Sequence, residues 1–332
     1  MVALIRNPLL KRTLSLVILT ACVLFIIRLL AEQGEALRSL IAFGPSLIAA
    51  LLLLAAFWNL LVAFRYKVIL EKCSGRKVPY IPWFRIFILG AFLNKFIPQA
   101  GNVYRSLALK NQFNISYTRY VTSYVASVWL DSLFVILLVY SIVLFVDSGL
   151  NVGGVPVRHV MPLLFFAFLA GPFAAFRISQ FWRTGPSAAE GWQDKLHEFL
   201  EAIRNSVMDL RYLGFTACLA LMICGASLVS MHICFRGLGG SPSISEISLF
   251  YVLGTLSGYV NITPGNLGVR EMLYGVFSDV MGIGMGEGVL MSAILRVANY
   301  VFYIVLAFPF GGWALLRKER HQHRARDRRE AQ

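Results

Sequence analysis

Long apolar runs separated by short polar segments make up most of this chain. A helix that crosses a bilayer needs about 20 mostly apolar residues, and several runs reach that length with almost no internal charge. We therefore predict six membrane-spanning helices, over Thr13–Ala31, Leu40–Phe64, Tyr120–Val146, Val160–Phe176, Tyr212–Phe235 and Val289–Trp313. The pattern predicts an all-α polytopic membrane protein, with no soluble segment long enough to fold around an active site.

Two further apolar stretches, Ile81–Ile97 and Ile244–Ile262, end in a different way. Each is followed closely by proline and glycine, which break helices. These residues are Pro98 and Gly101 after the first stretch, and Pro264, Gly265 and Gly268 after the second. Non-helical backbone at membrane depth is tolerated only inside protein or beside a wet cavity. The sequence therefore predicts two re-entrant hairpins.

The two hairpins indicate an internal repeat. Their tips lie half a chain apart, and a glycine and then an arginine follow each tip (Arg105 and Arg270). Each half then holds three full spans and one hairpin, and an odd number of crossings inverts the second half relative to the first. We predict one integral membrane domain over residues 1–332, with half-repeats at 1–150 and 151–316 and a basic cytoplasmic tail at 317–332. Inverted repeats with broken helices at matching positions are typical of transporters with a midplane site.

The charge balance orients this arrangement. The chain is 58% hydrophobic and only 14% charged, yet 31 Lys and Arg against 17 Asp and Glu give a net charge of +14. With the N-terminus in the cytoplasm, 24 of the basic residues fall in cytoplasmic segments, and only Arg38, Arg158 and Arg236 fall outside. This asymmetry follows the positive-inside rule. We therefore predict a bacterial inner-membrane protein with both termini in the cytoplasm, and no binding to nucleic acid.

The cytoplasmic segment before the fifth span contains one further element. Its apolar residues from Trp192 to Leu210 recur at helical spacing, with charged residues on the other faces. This pattern predicts an amphipathic helix at the membrane interface. Such a helix is either a plain connector or an element that senses lipid or binds a partner.

The sequence contains no pattern that predicts a metal or cofactor site. The five cysteines show no metal-ligand spacing, and no nucleotide-binding motif occurs. His321 and His323 lie in the basic tail, where solvated side chains are expected. We expect neither a cofactor nor a metal, and no enzymatic activity.

The hairpin tips carry the candidate chemistry. A helix restarts after each tip, and Asn102 and Asn266 are placed to cap these restarting helices. Helix N-termini bind phosphates and carboxylates, and Lys95, Arg105 and Arg270 add full positive charges nearby. These features suit an anionic group such as a lipid phosphate. The alternative is structural, with Arg270 and Glu271 pairing with other residues of the bundle.

Two charges lie inside predicted full spans, where they are costly and indicate function. Asp131 and Arg296 occupy nearly equivalent points of the two halves and have opposite charge. We predict that they pair across the pseudo-two-fold axis, either as a structural contact or as one that a headgroup or proton disrupts.

The segment Pro264-Gly265-Asn266-Leu267-Gly268-Val269-Arg270-Glu271 resembles the signature of the flippase-like transmembrane family. That family includes the membrane domain of lysylphosphatidylglycerol synthase/flippase proteins. The similarity extends to residues 97–105, 130–131 and 295–296. The chain departs from the family at Asn102, where Glu is frequent, and at Val128 and Trp129, where a basic residue is frequent. No aminoacyl-transferase domain is recognisable, so the resemblance does not imply lysyl transfer.

The resemblance implies movement of an anionic or modified phospholipid, or of an isoprenoid-linked lipid, between leaflets. The predicted partners are this membrane lipid and enzymes of lipid synthesis. The predicted substrate-binding residues are Lys95, Pro98, Gly101, Asn102, Arg105, Asp131, Pro264, Gly265, Asn266, Gly268, Arg270, Glu271 and Arg296. Two alternatives remain: a membrane-embedded lipid headgroup or polyprenyl transferase, and a non-catalytic scaffold that acts through the tail Arg317–Arg329.

Overall fold

The computed structural model describes residues 44–97, 99–146, 149, 151–152, 154–181, 209–258, 263 and 266–311. Nine α-helices occupy these residues: α1 (Pro45–Ser74), α2 (Tyr80–Phe96), α3 (Ala100–Phe113), α4 (Tyr117–Val146), α5 (Val157–Phe181), α6 (Leu210–Gly237), α7 (Ile244–Ser257), α8 (Val269–Val280) and α9 (Met285–Ala307). A short antiparallel hairpin precedes α5, and each of its two strands, β1 (Asn151–Val152) and β2 (Val155–Pro156), has two residues. This small hairpin was not predicted, and it turns at Gly154, whose φ of 80° is left-handed.

Four of the described helices, α1, α4, α6 and α9, are long and apolar enough to cross a membrane. They coincide with four predicted spans and confirm the all-α polytopic class. The last predicted span is too long at its end, since α9 stops at Ala307 and not at Trp313. The predicted span Val160–Phe176 lies within α5. The predicted span Thr13–Ala31 lies outside the described residues, so the number of six spans stays a prediction.

Most of the predicted amphipathic helix, residues 192–208, lies outside the described residues. Its last residue, Leu210, belongs to the next helix, α6.

Asp209 is the N-cap of α6, and its carboxylate accepts a hydrogen bond from the backbone N–H of Tyr212. Lys72, near the end of α1, also donates to this carboxylate over 2.7 Å and lowers the pKa of Asp209. The end of α1 therefore lies beside the start of α6, so the two helices run antiparallel.

Helix breaks occur at both predicted hairpin tips, between α2 and α3 and between α7 and α8. In the first hairpin the helices approach so closely that a Cβ atom at Gly101 would collide with the carbonyl oxygen of Gly90. The Asn94 side chain accepts a hydrogen bond from the Gly101 amide over 2.7 Å, which joins the two arms at the tip. Glycine is therefore required at this point for close contact between the helices.

The order long, short, short, long describes both α1–α4 and α6–α9. Contacts between helices recur in the same way: α4 packs against α7, and α9 packs against α2. Likewise α1 packs against α9, and α6 packs against α4. Two apolar cores support the two hairpins. Around the first hairpin, Trp83, Leu109 and Tyr120 are almost fully buried, and around the second Phe250 and Tyr274 are.

Candidate functional site

A cavity of about 470 Å³ lies between the two hairpins. Helices α1–α4 and α6–α9 all contribute to its wall. The charged side chains among its lining residues are Arg65, Lys95, Arg105, Asp131, Arg270 and Arg296. Five of these six are basic, so the described wall of the cavity is strongly positive.

The structure brings most of the predicted site residues together. Those that line the cavity are Lys95, Asn102, Arg105, Asp131, Asn266, Arg270 and Arg296. Gly101, Gly268 and Glu271 lie behind this wall, where they hold the tips in place. Pro98, Pro264 and Gly265 lie outside the described residues.

Arg105 is the cation of the first hairpin that lies deepest in protein, with 7% of its surface exposed. Its guanidinium donates to the carbonyl oxygen of Phe87 over 3.0 Å, and its Cζ lies 4.7 Å from the centre of the Phe87 ring. The side chain also passes against Gly90, where a Cβ atom would meet it. Its Nε atom is buried and has no hydrogen-bond partner within the described part of the chain.

Lys95 lies at the end of α2 and contacts aromatic rings of α9. Its Nζ atom is 5.0 Å from the centre of the Tyr300 ring and 5.2 Å from that of Tyr303. Such contacts stabilise a cation by the negative face of the ring. Tyr300 also accepts a long hydrogen bond of 3.5 Å from Arg296. The Lys95 ammonium therefore lies beside the residues that hold the second hairpin.

Arg296 and Glu271 form the network at the second tip. Arg296 makes an ion pair with Glu271, and the side chains are 12% and 6% exposed. Arg296 also donates to the backbone carbonyl of Asn266 over 3.1 Å. The other oxygen of Glu271 accepts from the Gly268 amide over 2.8 Å. This carboxylate thus replaces the missing helical partner of an N-terminal amide and fixes α8 to α9.

Arg270 makes its hydrogen bond outside this network. Its guanidinium donates to the Tyr274 hydroxyl over 3.0 Å and lies 5.1 Å from the centre of the same ring. Both side chains lie against Gly254 of α7, where a Cβ atom would collide with the Tyr274 hydroxyl. Like Arg105, Arg270 has a buried Nε atom without a partner among the described residues.

The prediction that Asn102 and Asn266 cap the restarting helices is wrong. The N-caps are Gln99 for α3 and Gly268 for α8. Asn102 lies inside the first turn of α3 and bonds to the side chains of Gln99 and Tyr120. Asn266 precedes the cap and donates to the Ser257 carbonyl at the end of α7. The backbone conformation at each tip sets the residue at which the helix starts, and the local sequence does not indicate that residue.

The predicted pairing of Asp131 with Arg296 is also wrong. Asp131 forms its ion pair with Arg65 of α1, and Arg296 pairs with Glu271. The reason is the position of α1, which packs against both α4 and α9. Glu271 therefore pairs with another residue of the bundle, as the structural alternative expects, and that residue is Arg296.

Two groups of lining residues were missed from the sequence. Arg65 was counted among the basic residues of the cytoplasmic loops, yet it is 5% exposed inside α1. On α9, Asn299 and Tyr303 line the cavity and follow Arg296 at helical spacing, and Tyr300 lies on the same face of the helix. Asn299 and Tyr303 both hydrogen-bond to Asn59 of α1. A test for polar periodicity in the last span would have found this polar face.

Metal-ligating groups do not cluster in the described residues, where no three His, Cys, Asp or Glu side chains come together. The cavity offers a different chemistry, with guanidinium and ammonium groups, phenol hydroxyls and amides. Arg groups of this kind form strong, often bidentate hydrogen bonds to phosphate and carboxylate oxygens.

Two proteins of Methanothermobacter thermautotrophicus (strain Delta H), each named UPF0104 membrane protein, are similar to this chain. One is 24% identical over 322 residues, covering 88% of this chain and 90% of the relative. The other is 22% identical over 126 residues, 37% of each protein. No solved structure matches the chain. The family described as the lysylphosphatidylglycerol synthase TM region matches residues 12–307, and this membrane protein belongs to that family.

Proposed function

We propose that this protein moves a lipid with an anionic headgroup between the two leaflets of a membrane. The observation that carries the proposal is the central cavity, in which five of six charged lining residues are basic. Charges at membrane depth are costly and are kept where a substrate or ion passes. A headgroup that enters this cavity would be stabilised there, while its acyl or isoprenoid tails stay among the exposed apolar side chains and the lipid.

An inverted repeat is part of the proposal. The recurring order of helices, the exchanged contacts of α4 with α7 and α9 with α2, and the antiparallel α1 and α6 support it. In transporters of this design, broken helices from both halves meet at the substrate site. Here Lys95 of the first hairpin and Arg270 of the second line one cavity.

The setting belongs to the proposal as well. We place the protein in the bacterial inner membrane with both termini in the cytoplasm, because of the distribution of its basic residues. Enzymes that synthesise the transported lipid are the expected partners. A transferase would instead make a new lipid product, and a scaffold would act through its basic tail. The test below separates these roles from lipid movement.

The test is lipid movement in vesicles that contain the purified protein. Phosphatidylglycerol and phosphatidic acid, each with a fluorescent label on an acyl chain, are incorporated and then quenched from outside by dithionite. We expect quenching beyond the outer leaflet for at least one of the two lipids. Arg270→Gln should slow it about 10-fold, which corresponds to about 1.4 kcal/mol. Lys110→Gln, an exposed cation on α3, should leave the rate unchanged.

Two results would overturn the proposal. Quenching that stops at the outer leaflet for both lipids, as in protein-free vesicles, would exclude lipid movement under these conditions. A new lipid product in the mass spectrum of the same vesicles would instead support the transferase alternative. Normal function after deletion of the tail Arg317–Arg329 would argue against the scaffold.

A further inference from the structure

We infer that the cavity binds a headgroup with at least two negative charges, such as a lipid phosphomonoester or diphosphate, in preference to the single charge of a phosphodiester lipid. The inference deepens the proposed function by naming its substrate class, and it rests on that function. It starts from the balance of charge inside the cavity and from the hydrogen bonds that its cations lack.

The charge balance can be counted among the described residues. Five cations line the cavity, and two carboxylates neutralise two of them: Asp131 pairs with Arg65, and Glu271 pairs with Arg296. The remaining cations are Lys95, Arg105 and Arg270. Within the described part of the chain, no carboxylate lies within ion-pair distance of any of these three.

The contacts of the three remaining cations are with neutral groups, apart from the electrostatic attraction between Arg270 and the carboxylate of the adjacent Glu271. Arg105 contacts a carbonyl oxygen and a phenyl ring, Arg270 contacts one tyrosine, and Lys95 contacts two tyrosine rings. An arginine stays protonated even when buried, and a buried charge without a counter-ion is costly. The excess positive charge is therefore available for an anionic ligand.

Hydrogen-bond donors point to the same conclusion. The Nε atoms of Arg105 and Arg270 are buried and unpartnered in the described structure, although both side chains line the cavity. A buried donor without an acceptor is unfavourable, because it has lost its hydrogen bonds to water. Phosphate oxygens are the acceptors that guanidinium groups match best. The two arginines belong to different hairpins, so a ligand that contacts both side chains must lie between the tips.

The number of charges selects the headgroup. A phosphodiester has one negative charge and would leave two of the three cations unneutralised. A phosphomonoester has a charge of about −1.5 to −2 at neutral pH and three acceptor oxygens. A diphosphate has at least as much charge spread over more oxygens. Either of these groups reaches the cations of both hairpins with a counter-charge that one phosphodiester cannot provide.

The test is equilibrium binding to the purified full-length protein in detergent, at a pH of about 7, where a phosphomonoester has a charge of about −1.5 to −2. The probes are phosphatidic acid, farnesyl diphosphate and phosphatidylglycerol, measured by native mass spectrometry. We expect phosphatidic acid to bind at least about 10-fold more tightly than phosphatidylglycerol. Tighter binding of farnesyl diphosphate than of phosphatidic acid would identify an isoprenoid diphosphate as the source, and the reverse order a glycerolipid. Equal Kd values for phosphatidic acid and phosphatidylglycerol would overturn the inference.

Charge-reduced variants make the test specific. The double variant Lys95→Gln/Arg270→Gln lowers the excess from three cations to one, so the preference for phosphatidic acid should fall to about 2-fold or less. Lys110→Gln, which removes an exposed cation, should keep the full preference. If the double variant fails to fold, the single variant Lys95→Gln tests the same point, because it lowers the excess from three cations to two and should reduce the preference. An unchanged preference in this folded variant would contradict a role for charge.

The outcomes for function and for substrate class are distinguishable. If both glycerolipids are moved and bound equally, the inferred preference for two negative charges is wrong and the proposed lipid movement still holds. Selective binding without any movement in vesicles would remove the proposed function and leave a selective phosphate site.

Discussion

At the scale of single residues, two carboxylates set the electrostatics of the cavity. Glu271 is 4% exposed and contacts both Arg296 and the amide of Gly268. It neutralises one cation and also completes the first turn of α8. Asp131 neutralises the charge of Arg65, whose guanidinium lies 5.5 Å from the centre of the Phe134 ring. These two acids leave the other three cations for a ligand.

Replacing Glu271 by Ala should destabilise the protein strongly. The change leaves the Arg296 charge buried and unpaired, which costs about 3–5 kcal/mol, and it removes the partner of the Gly268 amide. The measurement is the unfolding of the purified protein in detergent, by heat or denaturant. Asp279→Ala is the matched control, because Asp279 is an exposed acid on the same helix, and it should change stability by less than about 0.5 kcal/mol. Equal effects of the two variants would contradict this account.

Sequence reasoning identified the charged residues at membrane depth but not their partners. Asp131 and Arg296 stand out because charge is rare in an apolar span. Their partners depend on which helices are neighbours, and α1 brings Arg65 to Asp131. The repeat symmetry predicts that Asp131 pairs with Arg296, whereas in the structure Asp131 pairs with Arg65.

At the scale of helices, the sequence located the elements well and their ends less well. The predicted span that ends at Phe64 overlaps α1, which begins at Pro45 and continues to Ser74. This last part of α1 is polar, and it is stabilised by the Lys67–Glu71 pair one turn apart, over 2.8 Å. Hydropathy measures only the apolar part of a helix. Gly75, with a left-handed φ of 65°, ends the helix.

Gly101→Ala should destabilise the first hairpin. The new methyl group would collide with the Gly90 carbonyl oxygen and force α2 and α3 apart, and overpacking of this kind costs about 1–3 kcal/mol. The measurement is again the melting temperature in detergent. The control is Gly225→Ala in α6, where a Cβ atom meets no atom within 4 Å. There the helix should gain up to about 1 kcal/mol, since alanine favours helix more than glycine. A neutral Gly101→Ala would mean that the two arms do not need their close contact.

At the scale of the whole molecule, the important feature is the meeting of two hairpins at one cavity. The side chains that meet there come from positions far apart in the chain, such as Lys95 and Tyr300. Antiparallel packing of α1 and α6 places the corresponding ends of the two halves on opposite sides of the bundle. The proposed inversion therefore makes a prediction about sidedness.

Single cysteines in the loops before the two hairpins should be accessible from opposite sides of the membrane. Lys77→Cys, between α1 and α2, should react from the cytoplasm, and Ser241→Cys, between α6 and α7, from outside. Both positions are exposed, and the background variant lacks the five native cysteines. The measurement is labelling by an impermeant maleimide in intact cells and in inside-out vesicles. Labelling of both positions from one side would refute the inversion.

The sequence by itself determined the membrane class, the four long helices that the structure describes, the two helix breaks and the charged residues at membrane depth. These properties follow from apolar length, from proline and glycine, and from the rarity of charge in apolar spans, all of which act locally along the chain. Only the tertiary structure decided which charges are paired and which stay free. Pairing depends on the distance between helices that are remote in sequence, and that distance is what leaves Lys95, Arg105 and Arg270 facing one cavity.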